Sequence, residues 1–166
     1  MIWGMATSTF TLVHVVLSLV GIGAGLIVMW GLLAGKRLDA WTAIFLASTV
    51  ATSVTGFGFP FHEFLPPHYV GVISLVVLAL ALVARNAFHL SGAWRWIYVV
   101  SAVIALYLNV FVAIVQAFQK VPGLKAIAPT QSEPPFLISQ LAVLVLFVVL
   151  AILATIRFTP PPLRPA

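Results

Sequence analysis

Residues 94–120, WRWIYVVSAVIALYLNVFVAIVQAFQK, run from Arg95 to Lys120 without an intervening charge. That length exceeds the ~20 apolar residues a helix needs to cross the hydrocarbon core of a bilayer. Within the stretch, Ser101, Ala105, Asn109, Ala113, Gln116 and Lys120 recur every three or four positions, so a helix gathers them into one small and polar seam. Asn109 falls near the middle, where an amide surrounded by lipid must find a partner. The seam reads first as packing between helices, joined by hydrogen bonds. The alternative is a lined pathway or ligand cavity bordered by Asn109, Gln116, Tyr107 and Gln140. Gln116 and Gln140 fall at similar depth, close enough along the membrane normal to be able to pair.

The rest of the chain has the same character. Of its 166 residues 63% are hydrophobic and 7% charged, against about 25% charged in soluble domains. The class implied is an all-α polytopic membrane protein, one helical domain over 1–166. Counting apolar runs between charged or proline-rich breaks predicts five transmembrane spans, near 9–33, 40–59, 69–87, 94–119 and 135–157. The opening MIWGMATSTF lacks the positive start of a secretory signal, so the first run is expected to be an uncleaved span.

Cation placement predicts orientation. Lys36, Arg37, Arg85, Arg95, Arg157 and Arg164 fall on one side of that five-span pattern, and Lys120 and Lys125 on the other. Short cytoplasmic loops collect Lys and Arg, so the N-terminus is expected outside and the C-terminus inside. Trp30, Trp41, Trp94 and Trp96 share the basic edge, as an aromatic belt would, and Asp39 can cap the second span. The net charge of +5 thus faces lipid headgroups, and no basic stripe interleaved with aromatics suggests a nucleic-acid partner.

Helices in lipid associate through close backbone approach at small residues. Gly21 and Gly25 supply a GxxxG spacing with Ser18 on nearly the same face. The surrounding GIGAGL has the wrong glycine spacing for a nucleotide loop, and no strand precedes it. In the second span Ala47, Ala51 and Thr55, with Ser48 and Thr52 beside them, repeat the device, so the first two helices are expected to pair tightly.

With no cysteine in the chain, histidine is its strongest neutral ligand. His14 lies in the first span near its outer end, and His62, Glu63 and His68 lie in the connector GFGFPFHEFLPPHYVG, residues 56–71, assigned to that same side. The four can meet as a zinc or copper site, or two imidazoles can hold a haem iron. A quinone or lipid headgroup is a further candidate. The plainer alternative is that His14 hydrogen-bonds a neighbouring helix and the connector histidines face water. His89 belongs to the basic side as an interfacial residue. HEFLP is not a metalloprotease motif, no paired carboxylates or nucleophile triad are in evidence, and no charged residue lies in midmembrane as proton-coupled transport would ask. The reading therefore leans away from an enzyme.

The stretches LDAWTAIFLASTVATSVTGFGFPFH, GAWRWIYVVSAVIALYLNVFVAIVQAFQKVPGLKA and APTQSEPPF give the chain a further feature. It resembles a group of small bacterial multi-span membrane proteins, a resemblance that implies a bacterial inner (cytoplasmic) membrane and brings no activity, cofactor or site residue. The functional expectation is an accessory or structural subunit packed among other membrane subunits, by association or self-association. The alternative is a binding protein holding a metal, haem or quinone at the outer histidines.

Overall fold

A computed structural model describes residues 1–60 and 66–159. Six helices account for most of them: α1 Thr7–Leu33, α2 Asp39–Gly56, α3 Pro66–Asn86, α4 Ala93–Lys120, α5 Pro122–Ile127 and α6 Pro134–Arg157. No strand occurs among the described residues beyond an isolated bridge between Ile2 and Met5. The breaks follow local chemistry. Pro122 and Pro134 sit in the first turns of α5 and α6, where a missing N–H costs nothing. Gly35, at φ +68°, ends α1 in a left-handed turn that lets the Lys36 N–H donate to the Gly31 carbonyl at 2.8 Å.

Four helices, α1, α3, α4 and α6, are long and apolar enough to cross a membrane. The five-span expectation is corrected at α2. Its 18 residues reach roughly 27 Å at 1.5 Å per residue, short of the ~30 Å hydrocarbon core. Thr42, Ser48, Thr49, Thr52, Ser53, Thr55 and Asp39 also lower its apolarity. The hydroxyls survive there because they bond to their own backbone or to neighbouring helices, as when Ser53 donates to the Thr49 carbonyl at 2.9 Å and meets the Ser74 hydroxyl of α3 at 3.0 Å.

The helices α1 to α4 close a ring in which each packs on the next and α4 returns to α1, while α6 lies outside against α4 and α1. α1 and α3 therefore stand at opposite corners, as do α2 and α4. The ring is solid in one half. Val28, Phe45, Leu78, Tyr98, Val99 and Leu106, each nearly or fully buried, form its core. Gly25 is essential to this closeness, since a methyl group there would stand 2.5 Å from Leu106 Cδ1 and 2.9 Å from the Phe45 ring. The expected α1–α2 pair is the most extensive contact in the fold. Its α2 face differs from the expected stripe, however: Ala47 is exposed, and Phe45, Ser48 and Thr49 turn inward.

At the end of this packed half, Arg85 meets Asp39 at 2.7 Å and the Arg95 guanidinium donates to the Phe158 carbonyl at 2.7 Å. We call it the basic end. His89 lies in the loop there at φ +50°, and Trp94 stacks on Phe88 with centroids 3.8 Å apart.

Candidate functional site

The other half of the ring is open. Between α1, α2, α3 and α4 lies a cavity of about 620 Å³, reaching from Ile22, Ser74 and Asn109 up to Pro60, Pro67 and Lys120. That volume falls within the ~300–1,000 Å³ of small-molecule sites. Its floor is a polar contact across the ring: the Asn109 amide donates to Thr49 Oγ1 at 3.0 Å. Gly21 makes the floor possible, because a methyl group there would approach Thr49 Oγ1 to 3.1 Å and Asn109 Nδ2 to 3.3 Å.

The seam of α4 thus has two jobs. Ser101 and Ala105 are buried in the packed half, whereas Asn109, Ala113, Gln116 and Lys120 line the cavity. The pathway expectation is corrected. Tyr107 instead packs on Phe147 of α6, at 5.7 Å between centroids, and Gln140 donates to the Phe111 carbonyl at 3.3 Å. Gln116 and Gln140 therefore have different surroundings: Gln116 faces the cavity from α4, whereas Gln140, on α6, meets the α4 backbone at Phe111. Below the floor, Phe45, Leu78 and Leu106 block any continuous path.

Both described histidines of this half line the cavity, from opposite corners of the ring. His68 was expected in the connector. α3 begins at Pro66, earlier than the sequence suggests, because prolines are tolerated in a first helical turn. His68 is consequently a helix residue, 8% exposed, with its ring 5.7 Å from that of Phe57. His62 and Glu63 lie outside the described residues, and among the described residues no three His, Cys, Asp or Glu gather as a metal site. The four-residue metal set therefore reduces, within the described structure, to His14 and His68.

The contacts of His14 favour one tautomer. Nδ1 lies 2.8 Å from Thr55 Oγ1, and that hydroxyl lies 2.7 Å from the Ala51 carbonyl. A carbonyl has no proton to give, so the hydroxyl donates to it and accepts from Nδ1–H. The proton of the neutral ring is thereby committed to Nδ1, and Nε2 keeps its lone pair. Phe59 packs against the ring at 5.3 Å. The plain reading of His14, a bond to a neighbouring helix, is met, and it leaves the second nitrogen available.

Other walls are spent in the same way. Thr11 donates to the Thr7 carbonyl at 2.8 Å and Ser18 to the His14 carbonyl at 2.9 Å. Thr52 Oγ1, by contrast, is buried and finds no hydrogen-bond partner among the described residues, an uncommon state for a polar atom. Thr52 and Thr55 appear in the sequence only as small helix-contact residues. Their chemical role needs the position of His14, 41 residues away from Thr55. The richness of α2 in hydroxyls was the one available signal.

Compared with known proteins, the chain matches no family model, no curated protein and no solved structure. Fold and site together describe a helical protein with four helices able to cross a membrane and a ligand-sized cavity in one half of a four-helix ring.

Proposed function

We propose that this protein is a small integral membrane protein that binds an amphipathic small molecule in the cavity between α1, α2, α3 and α4. The observation that carries this is the cavity itself: about 620 Å³, mostly apolar, with His14, His68 and Thr52 in its walls. A ring that served only as a packing subunit would gain by filling this half as it fills the other, since voids forfeit contacts. The binding role thus takes precedence over the purely structural one. Following the cation pattern of the sequence, we place the cavity toward the external side of a bacterial inner membrane, where a hydrophobic ligand can arrive from the bilayer.

The test is direct. Full-length protein purified in mild detergent should release, on organic extraction, one small molecule near equimolar amounts. Ala113→Trp, which fills the cavity from α4, should abolish that content while the helical signal persists. Protein that carries nothing, and whose melting point no amphipathic compound raises, contradicts the reading.

A further inference from the structure

Building on that binding site, we infer that its ligand is a lipid-soluble para-hydroquinone, with one oxygen at His14 Nε2 and the other at the Asn109 floor, and that the site prefers this reduced form to the quinone. The polar groups of the cavity stand in two tiers. In the outer tier the bond from Nδ1–H to Thr55 leaves His14 Nε2 as an acceptor. In the deep tier the Asn109 amide gives one proton to Thr49 and keeps a second. Thr52, one turn deeper than Thr55 on α2, adds a hydroxyl that finds no partner among the described residues.

The separation of the tiers fits one aromatic ring. His14 and Gly21 lie on one face of α1 two helical turns apart, roughly 10 Å along the axis. Gly21 is level with the floor, since a methyl group on it would stand 3.3 Å from Asn109 Nδ2. The para oxygens of a six-membered ring, with a hydrogen bond of ~2.8 Å at each end, reach about that far. Leu19 of α1 and Val112 of α4 fall between the tiers and offer apolar contact to the ring. The cavity, at about 620 Å³, is larger than one ring, so it accommodates an apolar tail as well.

A fatty acid or a simple alcohol has one polar end and serves one tier. The deep tier suits either form of a quinone ring, because Asn109 and Thr52 can donate to a carbonyl or share protons with a hydroxyl. The outer tier makes the choice. A hydroxyl donates to Nε2, whereas a carbonyl turns its lone pair toward that of Nε2 and must take its proton from Gln116 or Lys120 instead. Thr55 is thus a positioning residue: it holds the ring proton on the other nitrogen and so decides which form His14 accepts.

Decylubiquinol and decylubiquinone, titrated by calorimetry into the full chain in detergent micelles, test this, with Ala113→Trp as the control for uptake into the micelle. The chain has no cysteine on which the reductant could act. One hydroquinone per chain is expected, bound about tenfold more tightly than the quinone, the worth of one hydrogen bond. A phenol with the same tail and no second oxygen should bind about tenfold more weakly than the hydroquinone, for the same reason. His14→Phe should abolish the preference by weakening the hydroquinone alone. Thr55→Val frees the ring proton to move to Nε2 and should bring the two affinities together by tightening the quinone; weakening of both forms alike would overturn the role given to Thr55. Quinone or phenol bound as tightly as hydroquinone by the wild type overturns the inference, as does a preference that survives both His14→Phe and Thr55→Val. So does a protein that takes up neither form while its extract holds another molecule that Ala113→Trp expels, an outcome under which the binding reading stands. If nothing binds and nothing is extracted, both fall.

Discussion

The two halves of the four-helix ring are made by the same helices and obey opposite rules. Toward the basic end, α1 to α4 meet through Gly25, Ala81, Val99 and Leu106 with almost no space between them. Beyond the Thr49–Asn109 contact the same helices keep their neighbours but line a cavity with imidazoles, hydroxyls and small side chains. The contrast teaches that small residues are not one signal. Gly25 permits close contact with Leu106 and Phe45, whereas Ala113, on the same seam of α4 as buried Ala105, lines the cavity.

Substitutions should break this contrast in a graded way. The largest effect belongs to the packed half: Gly25→Val forces a branched side chain against Leu106 and Phe45. It should cost about 3 kcal/mol, read as a lower denaturant midpoint in micelles. At the boundary, Asn109→Leu removes the donor that bridges to Thr49 and should cost about 1–2 kcal/mol. A thermal shift assay would show it, and Thr49→Val in the same background should add little, since the two act as one contact. At the basic end, Arg85→Ala breaks a partly exposed pair with Asp39 and should cost about 0.2–1 kcal/mol, less in high salt.

The smallest effect is at Glu133, just before α6. Desolvation of its carboxyl opposes ionisation, but the Thr130 hydroxyl and the N–H groups of Glu133, Thr130 and Ser132 together outweigh it and hold its pKa below the ordinary value. A group with a lowered folded pKa contributes stability above its unfolded pKa and loses it as pH falls through the folded one. Amide exchange in the first turn of α6 should therefore quicken only at strongly acidic pH, and Glu133→Gln should remove that dependence.

Much of this architecture is written locally and was legible. The four helices apolar enough to span follow from apolar length and breaks, whereas α2 was legible as a helix but over-read as a span, and Gly21 and Gly25 mark the tight face of α1. What was hidden depends on arrangement. The seam of α4 has one spacing throughout, so nothing along it tells that Ala105 is packed and Ala113 lines a cavity; that depends on which residues of α1, α2 and α3 arrive opposite. The stripe on α2 was misplaced because hydroxyl and alanine positions alternate too closely for periodicity to separate inward Ser48 from outward Ala47. His68 was read as connector because Pro66–Pro67 marks a boundary without saying on which side it lies. His14 and His68 were both picked out, but the Thr55 bond that fixes one nitrogen and leaves the other had no counterpart in spacing.

The same alanine-to-leucine change at two positions of α4 tests the central claim that one half is packed and the other is a binding cavity. Ala105 is fully buried in the core and Ala113 lines the cavity two turns away. Ala105→Leu should lower unfolding free energy by about 1–3 kcal/mol, whereas Ala113→Leu should stay within about 0.5 kcal/mol of wild-type protein stripped of ligand while losing the bound molecule. Equal destabilisation at both positions, with ligand content unchanged, would contradict the account.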